Sequence, residues 1–373
     1  MFMRLVIAGG GTGGHLFPGI AVAESFLALS PDNEVLFVGT QRGIEARVVP
    51  QEGYRLECIE VKGLKGKGIL DKIRNLWIIP KALIQSFSVL RKFKADAALG
   101  VGGYASGPVL LAAWLLGIPT AVCEQNSVPG LTNRVLGRLV RAIYGTFGHA
   151  QKYFPAQKYH LVGNPMRQQL VQGRETENKS VPNATPRILI LGGSQGARAL
   201  NETVPRAVAL LEEEGVALSV LHQCGERDHE DVEKAYKDVR LEIEVKAFIK
   251  DMLWAYGRSD VAITRAGAST CTEVALMGIP SIMVPFPFAT DDHQTLNAKE
   301  LENAGGIKII AQKEMTPTRL AQELKILLKD NSIHKEMTKN LKGVAKPFAS
   351  QKIAQAVHDG FRHDSNATLK GLL

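Results

Sequence analysis

Three glycine-rich stretches hold most of the chemistry this sequence could perform. They are Gly9–Gly14 with His15 directly behind it, Gly102–Gly107, and Gly192–Gly196. Glycine lets backbone N–H groups approach an oxyanion closely, and a helix starting beyond the loop adds partial positive charge. One such loop could be a plain packing turn, whereas three in one chain point to bound phosphate. None is a P-loop, because no Gly-Lys-Ser/Thr follows. A histidine at a helix start, as His15 is expected to be, tends to stay neutral and can accept a proton; the alternative is a polar residue facing solvent. Asn126 follows a strand directly in Glu124-Gln125-Asn126. Glu273 lies where the run Arg265–Glu273 enters a helix, as a ligand-binding acid or only as a favourable dipole contact. Asp291-Asp292-His293 has the composition of a metal cluster, but adjacent loop carboxylates read as solvated, and neither metal nor cofactor is expected.

Positioning these residues takes strands that end in glycine. Leu5–Ala8, Val35–Val38 and Ala97–Val101 do so in the first half, Arg187–Leu191, Leu218–Leu221 and Val261–Thr264 in the second. Helical patterns lie between them at Gly19–Leu29, Ile69–Phe93, Leu131–Val140, Ala197–Glu214 and Thr272–Met277. Alternating strands and helices predict parallel sheets covered on both faces. The pattern restarts near Arg187, after a polar, proline-containing stretch from Gly173 to Pro186. LVIAGGGTGGH at Leu5–His15 and ILILGGSQGAR at Ile188–Arg198 look like an internal repeat. The reading is two doubly wound α/β domains, with ligands beyond the carboxyl ends of the strands and one substrate on each side of a cleft. Gly9, Gly11 and Gly14 also satisfy G-x-G-x-x-G, which admits a dinucleotide-dependent dehydrogenase. That class wants an acid at the end of the second strand, and here the strand ends Phe37-Val38-Gly39-Thr40. A binding module without turnover is the other reading of the loops.

Composition narrows the class. The 373 residues suit two domains, and 45% apolar with 22% charged residues describes a globular chain. Cys58, Cys123, Cys224 and Cys271 stand far apart without metal or redox spacing, as free thiols of a reducing compartment would. The longest apolar run, Pro108–Cys123, is broken by Gly117 and Pro119 and reads as a buried helix and strand; no signal peptide is apparent. Residues 1–160 carry 18 Lys and Arg against 10 Asp and Glu, which is the whole net charge of +8. Nine of those cations lie between Lys62 and Lys94, against one acid, Asp71. A basic field of that kind implies an anionic partner.

The motifs GGTGGHLFPG at Gly10–Gly19, GVGGYASGP at Gly100–Pro108, EQN at Glu124–Asn126, GNPMR at Gly163–Arg167, GGSQGA at Gly192–Ala197 and RAGASTCTE at Arg265–Glu273 converge. In this order, from Leu5 to about Lys346, they resemble the MurG family, the UDP-N-acetylglucosamine–N-acetylmuramyl-(pentapeptide) pyrophosphoryl-undecaprenol N-acetylglucosamine transferases. The resemblance implies a GT-B fold of two Rossmann-like doubly wound domains facing a cleft. They would be an acceptor- and membrane-facing domain over 1–162 and a UDP-GlcNAc domain over 163–346, with a C-terminal helix within 347–373 packing back on the first. It implies an inverting transfer of N-acetylglucosamine (GlcNAc) to the 4-hydroxyl of the muramyl sugar of lipid I, giving lipid II. The enzyme would be peripheral on the cytoplasmic face of the bacterial inner membrane. Its partners would be UDP-GlcNAc, lipid I, an anionic membrane surface and other cell-wall synthesis proteins, with no nucleic acid. His15 would be the base. Ser194 and its loop would meet the diphosphate with Arg167 nearby, and Ile249 would offer backbone to uracil. Ala268, Ser269, Thr270, Cys271 and Thr272 would line the phosphate and sugar side, Glu273 would take the ribose hydroxyls and Gln294 the sugar hydroxyls. Thr12, Gly13, Gly14 and Asn126 would reach the transferred sugar. The first two loops, with Gly103, Tyr104 and Ser106, would cradle the acceptor diphosphate, helped by Lys65 and Lys67. His293 stands where many members carry glutamine. Within the fold, a transferase acting on diacylglycerol and a UDP-GlcNAc 2-epimerase are the alternatives.

At helical spacing, Ile69, Ile73, Leu76, Trp77, Leu83, Ile84 and Phe87 fall on one stripe, the expected buried face. Ile79 falls at its edge beside Lys72, and Ile78 opposite it, flanked by Arg74 and Lys81. Two exposed isoleucines are ordinary on any surface. With the basic field and a lipid-held substrate, they instead describe a patch that dips into an anionic membrane.

Overall fold

Short continuous apolar runs make fully buried parallel strands here. The computed structural model describes residues 2–61, 78–176 and 185–361. In the first half the elements are β1 (Arg4–Gly9), α1 (Gly13–Leu27), β2 (Glu34–Gly39), α2 (Glu45–Gln51), β3 (Arg55–Cys58), α3 (Ile78–Phe93), β4 (Ala97–Gly102), α4 (Ser106–Leu115), β5 (Thr120–Glu124), α5 (Leu131–Leu136), β6 (Ala142–Gly145) and β7 (Tyr159–Leu161). The seven strands form one parallel sheet in the order β3-β2-β1-β4-β5-β6-β7. Alternate residues of β1 serve the two faces: Leu5 and Ile7 enter one core, Val6 and Ala8 the other.

Helix α6 (Gln168–Thr176) leads to the second half. There follow β8 (Arg187–Leu191), α7 (Arg198–Glu213), β9 (Ser219–Gln223), α8 (His229–Ala235), β10 (Glu242–Lys246), α9 (Met252–Gly257), β11 (Val261–Thr264), α10 (Ala268–Met277), β12 (Ser281–Met283), α11 (His293–Asn303), β13 (Ile307–Ile309), α12 (Pro317–Lys329), α13 (Asn331–Val344) and α14 (Ala349–His358). Six parallel strands run β10-β9-β8-β11-β12-β13. In each sheet the strand order reverses beside the first strand, at β1/β4 and at β8/β11. That is the switch point where open α/β sheets bind ligands.

The chain divides into two units: residues 1–125, 129–168 and 347–373, and residues 126–128 with 169–346. Helix α14 therefore belongs to the first unit, although it follows the second in sequence. Its Ile353, Ala354 and Val357, with Phe361, join the core beside α1. The His358 ring lies 5.6 Å from that of Phe26. The unit boundary differs from the expected one at two places: Asn126–Val128 go with the second unit, and 163–168 with the first. Several short strands (β3, β6, β7, β10, β12 and β13) have no counterpart in the sequence reading, because three to five residues show too little pattern. Helix α10 begins at Ala268 rather than at Thr272.

In α3 the buried residues are Ala82, Ser86, Leu90 and Phe93, spaced four, four and three apart. Ile84 sits about 200° from Ala82 on that wheel and is 68% exposed, which overturns its expected place on the buried stripe. The expectation ran one register from Ile69 through Pro80. Pro80 stands in the first turn of α3, where no intrahelical N–H is required, and the packing against α4 sets a different register. Ile79 is exposed as expected. Lys62, Lys65, Lys67, Lys72, Arg74 and the side chain of Ile78 lie outside the described residues. Among the described residues no helix is long and apolar enough to cross a membrane.

Candidate active site

The first two glycine loops interlock at the β1/β4 switch point. The Gly10 N–H donates to the Gly102 carbonyl at 3.2 Å. Gly103 has φ +84°, and a Cβ there would come within 2.4 Å of the Gly10 oxygen. A Cβ on Gly102 would strike the His15 ring at 2.7 Å. His15 is the third residue of α1, and its Nδ1 lies 3.2 Å from the Thr12 hydroxyl. Thr12 and Gly14 are exposed, Gly13 and His15 partly so. Tyr104 is exposed as well. Ser106, expected to face the acceptor, is fully buried: its Oγ accepts the Gly102 N–H and lies within hydrogen-bonding distance of the Ala8 and Gly102 carbonyls, which share its one proton. Its hydroxyl is spent joining β1 to β4.

An acid that the sequence reading passed over sits under this loop. Glu45, the first residue of α2, is 2% exposed and accepts the Gly11 N–H at 2.7 Å. Arg167 is likewise in the first unit, where its guanidinium pairs with Glu52 at 2.7 Å and lies over the Phe17 ring. An opposite charge and an aromatic face meet its side chain there.

In the second unit the β8 loop leaves Gly193, Ser194 and Gln195 exposed. A Cβ on Gly196 would come 1.9 Å from the Cys224 oxygen, and one on Gly225 2.6 Å from the Gln195 oxygen, so two turns mesh without side chains. Gln223 secures them: its Nε2 donates to the Gly193 carbonyl at 3.1 Å, and its Oε1 accepts the Ile249 N–H at 2.8 Å. Any backbone contact from Ile249 to a base is thus left to its carbonyl. Beneath lies a buried chain in which the two His222 ring nitrogens meet the Tyr236 hydroxyl and Asn201, both at 3.1 Å. Burial pushes His222 down to about 3, so it is neutral.

At the β11/β12 end, Ser269, Thr270 and Thr272 are partly exposed, while Ala268 and Cys271 are buried. The Cys271 thiol points inward, 3.7 Å from the Met283 sulfur, and burial raises its pKa, so any part of Cys271 in lining a site is left to its backbone. The Thr272 hydroxyl lies within hydrogen-bonding distance of the Ala268 and Ser269 carbonyls of its own helix. Glu273 lies in the second turn of α10, past the helix start, and accepts a hydrogen bond from the buried Tyr256 hydroxyl at 2.9 Å. Burial, with the Glu273 charge behind it, holds that phenol well above its usual range. Gln294 has its carbonyl anchored on the Phe286 N–H at 2.9 Å, which leaves its amide donors to point outward. His293 Nδ1 is 2.8 Å from the Thr290 carbonyl, so it carries the proton there. Asp291 and Asp292 both adopt φ near +50°, and the Asp292 carboxylate accepts the Thr295 hydroxyl at 2.6 Å. Asn126 is met by Asn297, whose Nδ2 reaches its Oδ1 at 3.3 Å and whose Oδ1 accepts the Ser127 N–H at 2.8 Å. Tyr256, Gln223 and Asn297 carry no motif and could not be found before the fold was known.

The sequence profile of the glycosyltransferase family 28 N-terminal domain matches residues 5–145, and that of its C-terminal domain residues 187–356. A protein of Anaeromyxobacter sp. (strain Fw109-5) is 48% identical over 352 residues, 94% of this chain and 92% of its own length. It is named UDP-N-acetylglucosamine–N-acetylmuramyl-(pentapeptide) pyrophosphoryl-undecaprenol N-acetylglucosamine transferase. The crystal structure of Acinetobacter baumannii MurG superimposes with a TM-score of 0.81 at 36% identity, covering 96% of this chain and 99% of that one. The chain belongs to the MurG family. Its two parallel-sheet units are the two Rossmann-like domains of a GT-B fold. A crystal structure titled putative UDP-N-acetylglucosamine 2-epimerase of Listeria monocytogenes also matches, with a TM-score of 0.70, covering 97% of each chain. At 13% identity that likeness concerns the fold alone.

Proposed function

We propose that the chain transfers GlcNAc from UDP-GlcNAc to the 4-hydroxyl of the muramyl sugar in undecaprenyl-diphospho-MurNAc-pentapeptide, converting lipid I to lipid II. The near-full-length match at 48% identity to a transferase of that name carries the reading. The acceptor oxygen forms a bond to the anomeric carbon, the bond from that carbon to the donor phosphate breaks, and UDP departs with the electron pair. Inversion follows from the single displacement.

The acceptor proton goes to His15. In the tautomer whose Nδ1–H donates to the Thr12 hydroxyl, 3.2 Å away, Nε2 is the basic nitrogen. Charge develops on the leaving diphosphate, and the N–H groups of Gly193, Ser194 and Gln195 and of the start of α10 at Ala268 are the donors that can meet it, with the hydroxyls of Ser194, Ser269 and Thr270 beside them. Glu273 takes the ribose hydroxyls and the anchored Gln294 the sugar hydroxyls. Asn126, with Thr12, Gly13 and Gly14, contacts the transferred sugar. Gly103 and Tyr104 lie on the acceptor side.

The enzyme works as a peripheral protein on the cytoplasmic face of the inner membrane. The exposed apolar residues Ile79 and Ile84 of α3, and Trp114 and Leu115 of α4, lie on two helices that pack together. Lys81, paired with Glu60 at 2.7 Å, and Arg91 stand among them. That combination suits an anionic bilayer holding the acceptor.

Incubation with UDP-GlcNAc and a short-chain lipid I analogue, with UDP release as the readout, tests the reaction. UDP release that depends on the acceptor supports it. Release with diacylglycerol instead, or epimerisation of UDP-GlcNAc without an acceptor, overturns it.

A further inference from the structure

In a dinucleotide-binding fold the N–H groups of the first glycine loop meet a pyrophosphate. Here the loop carries its own anion. One oxygen of Glu45 accepts the Gly11 N–H at 2.7 Å, and the other accepts the Thr40 N–H at 2.9 Å and the Thr40 hydroxyl at 2.8 Å. The side chain is buried, and three glycines leave room for it. A Cβ at Gly10, Gly39 or Gly43 would lie 2.4, 2.5 or 2.1 Å from Glu45 atoms. The contacts continue to the catalytic side. Gly10 bonds the Gly102 carbonyl, Gly102 lies against the His15 ring, and Gly11 precedes Thr12, whose hydroxyl meets His15 Nδ1. Three glycines in two separate segments, one after β1 and one from the end of β2 towards α2, are thus shaped around one carboxyl group, more than a chance surface acid requires.

We propose that Glu45 is a positioning residue for the acceptor side of the reaction. Its carboxyl group is the internal ligand that sets the Gly9–Thr12 turn and, through it, the Thr12–His15 pair. It also takes the Gly11 N–H out of reach of the acceptor diphosphate, whose contacts must then come from the donors beyond Gly11 and from the second loop. The proposal rests on the reading of His15 as the base.

The test uses the full chain with Glu45→Gln, Thr40→Val, His15→Ala and the Glu45→Gln/His15→Ala double variant. kcat and both KM values are measured with UDP-GlcNAc and the short-chain lipid I analogue, and UDP-GlcNAc binding is measured separately. The carboxamide of Glu45→Gln sets an NH2 against one of the backbone N–H groups, so the turn must shift. A displacement of that size costs on the order of 10²-fold in kcat, with UDP-GlcNAc binding near normal. Thr40→Val removes one of the three donors, loses less in the same direction, and serves if Glu45→Gln folds poorly. In the His15→Ala background Glu45→Gln costs little, because the group it positions is gone. Wild-type kcat in both Glu45→Gln and Thr40→Val overturns the proposal, as does a full multiplicative loss in the double variant. Loss of UDP-GlcNAc binding in step with kcat overturns it too, because that marks a fold defect. Failure of the His15 reading shows by itself, as near-normal activity of His15→Ala; a Glu45→Gln loss beside an active His15→Ala then overturns the positioning role as well.

Discussion

The first and third glycine loops look alike in sequence and differ in what lies beneath them. Both follow the first strand of a parallel sheet and open a helix. Under the first is a buried carboxyl group, Glu45, on the Gly11 N–H. Under the third is a neutral carboxamide, Gln223, which donates to the Gly193 carbonyl and accepts from Ile249. A donor directed at a loop carbonyl consumes none of the loop's N–H groups, so in the third loop only the Gly196 N–H is taken, by the Gly193 carbonyl. An acceptor on a loop N–H consumes one, as Glu45 does at Gly11 beside the Gly10 N–H already given to Gly102. The third loop is therefore the better diphosphate site and the first the better scaffold for a base. Glycine spacing alone does not separate the two.

The largest effect expected from this division is at His15. His15→Ala should lower turnover by ~10²–10⁴ while UDP-GlcNAc binding stays near normal, because the residue belongs to the acceptor side. Measured donor affinity that falls together with turnover would erase the division. Next is Gln223→Glu, which sets a carboxylate under the third loop as Glu45 is set under the first. UDP-GlcNAc should bind at least ~2 kcal/mol more weakly, about 30-fold, because the carboxylate loses the bond to the Gly193 carbonyl and repels the diphosphate. Gln223→Leu, which removes the hydrogen bonds without adding charge, should lose less. Equal losses for the two variants would show that shape rather than potential governs the loop.

Comparable in size, at roughly 2 kcal/mol or about 30-fold, is the loss of donor binding in Glu273→Ala, in line with one or two charge-assisted bonds to the ribose. A 2′-deoxyribose donor should already bind wild type poorly and be indifferent to the substitution. Tyr256→Phe should reproduce a fraction of the loss, since its hydroxyl holds one Glu273 oxygen at 2.9 Å. If Glu273→Ala weakens both donors equally, the carboxylate only stabilises α10.

What could be read from the sequence divides along the same physical line. Strands such as Arg187–Leu191, whose apolar run ends in a glycine turn, were legible, and with them the doubly wound pattern and the loops at the switch points. So were the motifs that make His15, Ser194 and Glu273 candidates. Residues that act by reaching back from another element were not. Glu45 lies five residues beyond the strand end where an acid was sought, and only the turn of α2 brings it under Gly11. Asn297 looks like any polar residue of α11 until its amide is seen to hold Ser127 and Asn126. Ser106 was misjudged for the opposite reason: a motif marks a candidate segment, but not which of its side chains turn inward, as those of Ser106 and Cys271 do. Ile84 was misplaced because a helical register cannot be carried across a proline.

The smallest expected effect tests the contrast at the level of whole units. The first 160 residues carry the entire net charge of +8, and α3 presents Ile84, 68% exposed, and Ile79, 46% exposed. Complete burial of an isoleucine contributes ~1.5–3 kcal/mol, and each nearby cation adds ~1 kcal/mol at an anionic surface, weakened by salt. Lys81 already pairs with Glu60 at 2.7 Å and offers less than an unpaired cation. Ile79→Glu with Ile84→Glu should therefore reduce binding to anionic vesicles. It should slow turnover a few-fold on a natural-length acceptor and leave a soluble short-chain acceptor unaffected. The second unit supplies the control. Its Phe288 is 82% exposed, more than either isoleucine, and its sequence neighbours from Pro285 to Leu296 include Asp291 and Asp292 but no Lys or Arg. Phe288→Glu should leave vesicle binding intact. If Phe288→Glu abolishes binding and the isoleucine pair does not, apolar exposure alone decides membrane contact, and the charge asymmetry between the units has some other purpose.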